Sequence, residues 1–326
     1  MAHHQNCFRR VLMLCFWLFL SPAQAQLQTY PSKPIHIVIG FPPGGAIDTM
    51  ARVLAPKMSK ELGQSVIVEN KSGAGGVIGM QYVAGADPDG YTLFLGTLGN
   101  FSITPAFVKD LPYNVQRDFQ PIMQVASSPF IIFTNSQLPI KNVAELISYA
   151  KSNSGKVYFS SSGNGGLPHM AGELFNESAG IKMIHIPYKG SAPSITDVIG
   201  GQVQLTFEAI AIGLPYLKSG RLKALATTDI KRLSILPEVP TVAESIPGFV
   251  LKNWFGLAAP KSTPMDRVNL IQRSIQNSLK DPEVIKTFND LGLEPVGDNS
   301  TEFTQFIKQE TLRWQVLFAK GNIKID

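Results

Sequence analysis

The sequence predicts an α/β protein of two domains, each a mixed, mostly parallel sheet flanked by helices. Short runs of β-branched residues alternate with segments of helical periodicity, which is typical of βαβ units. Two long extended segments, near 119–134 and 254–259, are suited to carry the chain from one domain to the other and back. Each domain also contains glycine-rich turns directly after predicted strands. The chain has 326 residues, enough for two hydrophobic cores.

The first 25 residues have the pattern of a secretory signal peptide. Arg9 and Arg10 precede an apolar run, and Ala23-Gln-Ala25 supplies the small residues that a signal peptidase needs. The apolar run is too short to span a membrane, and no stop-transfer pattern follows it, so an uncleaved anchor is the weaker alternative. We therefore expect cleavage after Ala25 and export to the periplasm.

The composition of the exported chain excludes several kinds of site. Both cysteines, Cys7 and Cys15, lie in the segment expected to be removed, which excludes disulfides, thiolate metal sites and a cysteine nucleophile. The whole chain has 29 basic and 24 acidic residues, and cleavage removes two arginines, which leaves a net charge of +3. This mild charge, without an arginine-aromatic cluster, argues against nucleic acid as a partner.

The first domain, predicted over 26–126 plus 251–326, opens on a β-branched strand at 35–39 that suits a sheet buried on both faces. Gly40-Phe-Pro-Pro-Gly-Gly45 follows, and then a helix with one apolar face and Asp48 in its first turn. A strand that leads through a tight turn into a helix N-terminus directs free N–H groups outward, which suits a carboxylate or phosphate. An ordinary βα connection is the alternative.

Further strands are predicted in this domain at 65–69 and 92–95. The glycines of 73–79 fail the spacing of a dinucleotide fingerprint, because Ile78 stands where the third glycine belongs, and they indicate a close contact between helix and sheet instead. The segment 96–100 is a second candidate binding turn. Three helices, starting near 263, 281 and 299, end the chain with no further strand, and we expect this tail to pack on the first domain.

The second domain, predicted over 127–250, repeats the same architecture. Asn142 with Glu145 three residues later predicts the start of its first helix. Strands are expected at 157–160, 183–186, 203–207 and 222–227, with binding turns at 161–166 and 187–191. Because ligands of open α/β sheets bind beyond the carboxyl ends of the strands, the turns of both domains are expected to face one cleft, as in a hinged receptor.

The sequence gives little sign of catalysis. It lacks a Gly-x-Ser-x-Gly elbow, a phosphate loop with its lysine and a His-Glu-x-x-His helix, so we expect no enzyme, no cofactor and no metal. His36, His169 and His185 are spaced too widely to indicate a metal cluster. His36 and His185 alternate with apolar strand residues and are interpreted as structural.

Three charged or titratable residues near the second-domain turns remain as candidates for the ligand site. His169 lies in the first helical turn after a binding loop, where it either contacts ligand or is structural. Lys189 either pairs with a ligand carboxylate or is solvated. Glu208 ends an apolar strand, where it either accepts a hydrogen bond from ligand or caps the next turn.

From about residue 30 onward, the chain resembles the Bug-type periplasmic solute receptors of tripartite tricarboxylate transporters. The motifs that carry the resemblance are Gly40-Phe-Pro-Pro-Gly-Gly45 with Asp48, Val68-Glu-Asn70, Gly73-Ala-Gly-Gly76, Pro88-Asp-Gly-Tyr-Thr-Leu93, Leu111-Pro-Tyr113, His169 before Glu173-Leu-Phe175, Pro187-Tyr-Lys-Gly190, Pro240-Thr-Val-Ala-Glu244 and Trp254. The resemblance implies the clamshell fold of periplasmic binding proteins, which grips small carboxylates mainly through loop amides and ordered waters.

The resemblance also implies a set of ligand-binding residues. They are Phe41, Ala46, Ile47, Asp48, Thr97 and Asn100 in the first domain, and Ser161, Gly163, Asn164, His169, Lys189, Gly190 and Glu208 in the second. Glu208 stands where the family often has a shorter aspartate.

The expected function is that of an exported monomer that captures a small carboxylate and delivers it to a membrane permease. The ligand is a di- or tricarboxylate, an amino acid or an aromatic acid. A ligand-sensing partner of a signalling system and a periplasmic hydrolase are the alternatives.

Overall fold

The computed structural model describes residues 30–233 and 235–319, so the predicted signal peptide and its cleavage site lie outside the described residues. The strands are β1 (Ile35–Ile39), β2 (Val66–Asn70), β3 (Thr92–Thr97), β4 (Phe119–Asn135), β5 (Tyr158–Ser161), β6 (Ile184–Pro187), β7 (Leu205–Ala209), β8 (Leu222–Thr227), β9 (Lys252–Pro260) and β10 (Glu294–Pro295).

The α-helices are α1 (Ala46–Leu62), α2 (Val77–Ala84), α3 (Thr104–Phe107), α4 (Val115–Asp118), α5 (Val143–Ser152), α6 (Leu167–Ala179), α7 (Ser191–Ile199), α8 (Ile210–Lys218), α9 (Met265–Ser278), α10 (Pro282–Asp290) and α11 (Ser300–Ala319). Short 3-10 turns cover Ala74–Gly76 and Val242–Glu244, and a π-helical turn covers Gly99–Ile103.

The strands form a mixed sheet in the order β2-β1-β3-β9-β4-β7-β5-β6, and β8 and β10 also pair with β4. In the first half, β1 lies between β2 and β3 and is parallel to both. In the second half, β5 is parallel to both β6 and β7. The predicted α/β architecture, with helices flanking mostly parallel strands, is confirmed.

The 17-residue strand β4 belongs to both halves and sets the distance between them. Thr97, at the carboxyl end of β3, is level with Phe255 of β9, which pairs in turn with Ala126 of β4. Ala209, at the carboxyl end of β7, pairs with Phe130 of β4. Both ends point toward the same short stretch of β4, and four residues at about 3.3 Å each offset their levels along β4 by about 13 Å. The carboxyl ends of the two halves therefore face each other.

Several predicted elements are confirmed because short-range signals determine them. The side-chain oxygen of Asn142 caps α5 by accepting from the backbone N–H of Glu145, whose carboxylate accepts from the N–H of Lys141. Asp281 caps α10 in a similar way. The predicted face of α11 packs on the first half: Trp254 of β9 lies edge-on to Phe303, with ring centroids 5.5 Å apart.

Among the elements that differ from the sequence prediction are α8 and β10. The helix α8 was not predicted, because its residues 210–218 are apolar almost throughout and include Pro215, so they show no helical period. The prediction of no strand after the second crossing is wrong, since β10 pairs antiparallel with Ser127 and Ala126 of β4. Two residues are too few to show a strand period. The division into domains at 126/127 and 250/251 stays a prediction.

Candidate ligand-binding cleft

The turn between β1 and α1 presents backbone at the carboxyl edge of the first half. Phe41 is half-buried and residues 42–46 are exposed, whereas Ile47 is buried beneath them. Gly45 is the N-cap of α1 and provides no side-chain cap, and the first intrahelical bond runs from Thr49 N to Gly45 O. The amides of the first turn therefore have no acceptor within the helix, as at other helix N-termini. Ala46 carries the first of these amides.

Asp48 is buried in this first turn, and its carboxylate accepts hydrogen bonds from other groups of the protein. Its Oδ2 accepts from Arg52 Nε at 2.9 Å and from Gly44 N at 3.0 Å, and its Oδ1 accepts from Asn70 Nδ2 at 2.9 Å. The hydrogen bond from Arg52 is the main reason that the pKa of Asp48 falls to about 2. Asp48 is therefore ionised at neutral pH, and its role is to hold the turn.

Asn70, the last residue of β2, connects the same turn to the neighbouring strand. Its Nδ2 also donates to Phe41 O at 3.0 Å, and its Oδ1 accepts from Arg52 Nη2 at 2.9 Å. The parallel register places Asn70 beside Ile39, where β1 ends. Asn70 is thus a positioning residue of the candidate site that sequence reasoning did not single out. A polar residue at the carboxyl end of a parallel strand is the signal that was available.

Thr97 and Asn100 form a closed hydrogen-bond network after β3. Asn100 Oδ1 accepts from Thr97 N at 3.0 Å and from Thr97 Oγ1 at 3.1 Å, and Asn100 Nδ2 donates to Gly75 O at 2.8 Å. A Cβ on Gly76 would lie 2.4 Å from that Nδ2, and a Cβ on Gly40 would lie 2.5 Å from Gly76 Cα. The close contact predicted for the 73–79 segment is confirmed.

The turn after β5 is held by its first residue. Ser161 is buried, and its Oγ donates to Gly163 O at 3.0 Å, accepts from Gly163 N at 3.2 Å and lies 2.6 Å from His185 Nε2. Asn164, at the tip of the turn, is exposed. The side chain of His169 also holds the turn, because its Nδ1 accepts a hydrogen bond from Gly165 N at 3.1 Å.

His169 and His185 form a stacked pair beneath this turn. Their ring centroids are 3.7 Å apart and the planes differ by 10°. Burial lowers the pKa of His169, and burial together with the neighbouring His169 lowers the pKa of His185 to about 4. Both rings are therefore neutral at pH 7. His185 supports the turn through its contact with Ser161, which agrees with its interpretation as a structural residue. Sequence reasoning missed its contact with His169.

The next turn, between β6 and α7, is tied to the first one. Tyr188 N donates to Ser161 O at 3.0 Å, and Gly190 N donates to Ser162 O at 3.2 Å. Gly190 has a φ of 108°, a backbone conformation that favours glycine, and it is the N-cap of α7. The side chain of Lys189 is exposed. The second-half candidates thus occupy two adjoining turns, with Lys189 on the outside.

Glu208 differs from the other candidates because one of its polar atoms has no partner. It is the penultimate residue of β7, pairs with Ile131 and is only 2% exposed. Its carboxylate interacts with the Ser191 side chain and the Ala209 backbone, yet Oε1 has no hydrogen-bond partner. Burial raises the pKa of Glu208 to about 7.

The predicted site residues therefore form two groups on facing edges. Phe41, Ala46, Ile47, Asp48, Thr97 and Asn100 surround the ends of β1 and β3, and Ser161, Gly163, Asn164, His169, Lys189, Gly190 and Glu208 surround the ends of β5, β6 and β7. That one ligand contacts both groups stays a prediction. Within 30–233 and 235–319, no three His, Cys, Asp or Glu side chains are grouped so as to hold a metal ion.

Comparison with known proteins decides the family. The family described as tripartite tricarboxylate transporter family receptor matches residues 50–323 of the chain. The chain belongs to this family. Across the described ranges, none of its helices combines the length and the apolar character needed to cross a membrane.

Three solved structures support the fold and the resemblance to Bug-type receptors. One is described as periplasmic binding protein BugD, with 37% identity, a TM-score of 0.71, and coverage of 90% of this chain and 99% of that one. Rpa4515 of R. palustris, with adipate, has 32% identity and a TM-score of 0.74, covering 90% and 98% of the two chains. MatC of Rhodopseudomonas palustris, with bound malate, has 30% identity and a TM-score of 0.70, covering 88% and 99%. The receptor therefore has the periplasmic-binding-protein fold that its family implies.

Proposed function

We propose that this receptor is exported to the periplasm, closes on a small carboxylate between its two facing edges and delivers it to a membrane permease. The observation that carries the proposal is the turn at 41–48. It presents uncapped first-turn amides of α1 at an exposed carboxyl edge, opposite the turns of the other half. Free amides and the positive end of the helix dipole favour an anion.

The solved relatives support a carboxylate as the anion. One of them is described with adipate and another with malate, and both acids are small dicarboxylates. In this chain, we assign the first carboxylate group to the amides around Ala46 and Ile47. Asp48 and Asn70 hold the turn that carries those amides, through the hydrogen bonds to Gly44 and Phe41 described above.

The proximity of Ser161 to His185 does not favour a hydrolase. A nucleophilic serine needs an accessible Oγ and a base that is oriented by a third group. Ser161 is fully buried, its Oγ is already bonded within its own turn, and the ring stacked on His185 is the neutral His169. The pair therefore serves to shape the turn.

A thermal-shift screen of small acids on the mature protein tests this function. A carboxylate present at 100 times its dissociation constant stabilises a receptor by about 2.7 kcal/mol, so we expect one group of acids to raise the melting temperature clearly. The matching primary amides or methyl esters serve as controls and should have no effect. Stabilisation by none of the di-, tricarboxylic, amino or aromatic acids would contradict the proposal.

Solution scattering tests the closing step. Because ligand contacts from both edges favour the closed arrangement, we expect a smaller radius of gyration with the best acid than without it. The same acid should leave the scattering of an Ala46→Pro variant closer to the free state. Unchanged scattering of the native protein at saturating acid would rule out closure.

A further inference from the structure

Glu208 is the only candidate site residue, within the described chain, whose side-chain oxygen is both buried and without a partner. The polar side chains of the first edge are engaged with one another, as Asp48 and Asn100 show. A buried acceptor without a donor is costly to a protein, and native structures keep few of them. An orphaned oxygen at a binding edge therefore indicates a donor that comes from outside the chain.

The position of Glu208 in β7 places it at the cleft side of the second half. Its strand ends one residue later, level with Phe130 and within about 13 Å of the end of β3 measured along β4. Thr206 and Glu208 share a strand face. Ser194 of α7 covers Thr206, with the two hydroxyl oxygens 3.5 Å apart, and the first residue of the same helix, Ser191, interacts with Glu208. Glu208 thus lies beneath the first turn of α7.

The carboxyl group of Glu208 makes the second edge less favourable to an anion than the first edge. A helix N-terminus normally favours an anion, as we propose for α1. At α7, the side chain of the first residue, Ser191, instead interacts with a carboxyl group of the protein, that of Glu208. A carboxylate of the ligand would meet another carboxylate there, whereas a hydroxyl or ammonium group would supply the donor that Oε1 lacks. The two edges therefore suit two different parts of one ligand.

We propose that Glu208 is a specificity-determining residue that selects acids carrying a hydrogen-bond donor, a hydroxyl or ammonium group, in addition to the carboxylate bound at the first edge. The inference rests on the proposed function and specifies its ligand class. Discrimination arises because an analogue without the donor leaves Oε1 unpaired in a closed site. Sites built to hydrogen-bond a ligand group reject analogues lacking it far more strongly than apolar pockets reject a missing methylene.

Calorimetric titration with matched acids tests this selection. The probes are succinate, malate and aspartate, and their longer counterparts adipate, 2-hydroxyadipate and 2-aminoadipate, all at pH 8. We expect the native protein to bind the hydroxy or amino member of the better series at least tenfold more tightly than the plain diacid. Equal affinities within both series would overturn the inference.

Two variants separate a role in selection from a role in folding. Glu208→Leu keeps the approximate size and removes the acceptor, so the affinity ratio between donor-bearing and plain acids should fall to about one. Glu208→Gln keeps an acceptor oxygen but removes the charge. It should preserve a preference for the hydroxy acid and lose at least tenfold of any preference for the amino acid. A ratio that survives in folded Glu208→Leu would contradict the selection by Glu208.

The control is Asp298→Asn, which changes a half-buried acid that follows β10. Burial raises the pKa of Asp298 to about 7, as for Glu208, but its Oδ1 accepts from Gln124 N at 2.6 Å. The affinity ratios of this variant should equal those of the native protein, and a ratio lost here as well would overturn the inference. If no acid binds the folded native protein, the proposed function fails. If acids bind without regard to a donor, only the assignment of Glu208 fails.

Discussion

The two edges of the cleft use their polar groups in opposite ways. On the first edge, the carboxylate of Asp48 has three donors, and the amide of Asn100 bonds both Thr97 and Gly75. On the second edge, two neutral histidines stack beneath one turn, and Glu208 keeps a buried oxygen without a donor.

This difference indicates a division of tasks between the edges. Side chains of the first edge form hydrogen bonds within the protein and fix its backbone. The backbone amides are therefore left to bind a carboxylate, which is a group that every proposed ligand has. The second edge retains an unsatisfied side chain, which can distinguish one acid from another. General affinity then belongs to the first edge and selectivity to the second. Variants that change one edge at a time separate these two tasks.

The largest effect is expected from Gly40→Ala, which alters the tight packing behind the first edge. Its Cβ would lie 2.5 Å from the backbone of Gly76, and a backbone contact cannot be relieved by a change of rotamer. We expect a loss of about 3 kcal/mol in the free energy of unfolding, at the upper end for overpacking. Chemical denaturation measures it.

The control for this change is Gly45→Ser in the same loop. A Cβ at Gly45 meets nothing within 4 Å, and serine is a good N-cap, so stability should change by less than about 0.5 kcal/mol. If both variants lose the same free energy of unfolding, the loop does not tolerate any added side chain. The contact between Gly40 and Gly76 is then not the cause of the loss in Gly40→Ala.

The second edge should respond to pH in the direction opposite to the first. Glu208 has a pKa of about 7 in the folded protein against an ordinary value of 4.5, so the folded state holds its proton more tightly than the unfolded state. Stability is therefore lost as the pH rises from about 4.5 to 7, by about 3 kcal/mol for this group. The free energy of unfolding of Glu208→Gln, relative to the native protein, should rise by that amount between pH 4.5 and 8. A constant difference would contradict the burial of the Glu208 carboxyl group.

At the first edge, Asp48 should stabilise the protein at neutral pH and lose that effect in acid. Its pKa of about 2 lies below the ordinary 3.8, so its contribution is complete above about pH 4 and lost as the pH falls through 2. The difference amounts to about 2 kcal/mol. Asp48→Asn should lack this part of the acid dependence. If both proteins show the same acid dependence in denaturant titrations, the network around Asp48 is not formed in solution.

The sequence predicts the first edge well because its signals are local. A β-branched run, a glycine-rich turn and an apolar helical face follow one another within 28 residues of Ile35, and β1 and α1 form there. The role of Asn70 depends on the pairing of β2 with β1, and the stacking of His169 on His185 depends on the approach of α6 to β6. Such contacts between distant segments leave no periodic signal. For the same reason β10 could not be predicted, because its two residues form a strand only through their pairing with β4.

Titration of three variants tests most directly whether backbone amides, and not an ion pair, hold the carboxylate. Ala46→Pro removes the N–H at the first position of α1, where proline suits the helix, whereas Ala46→Gly keeps that N–H. Loss of a charge-assisted hydrogen bond should cost about 1.5–3 kcal/mol of binding free energy, roughly ten- to a hundredfold in affinity. Lys189→Ala should cost about 1 kcal/mol or less, because its exposed ammonium is screened by water. If Lys189→Ala abolishes binding while Ala46→Pro binds like Ala46→Gly, recognition is by ion pairing and the account given for the first edge is wrong.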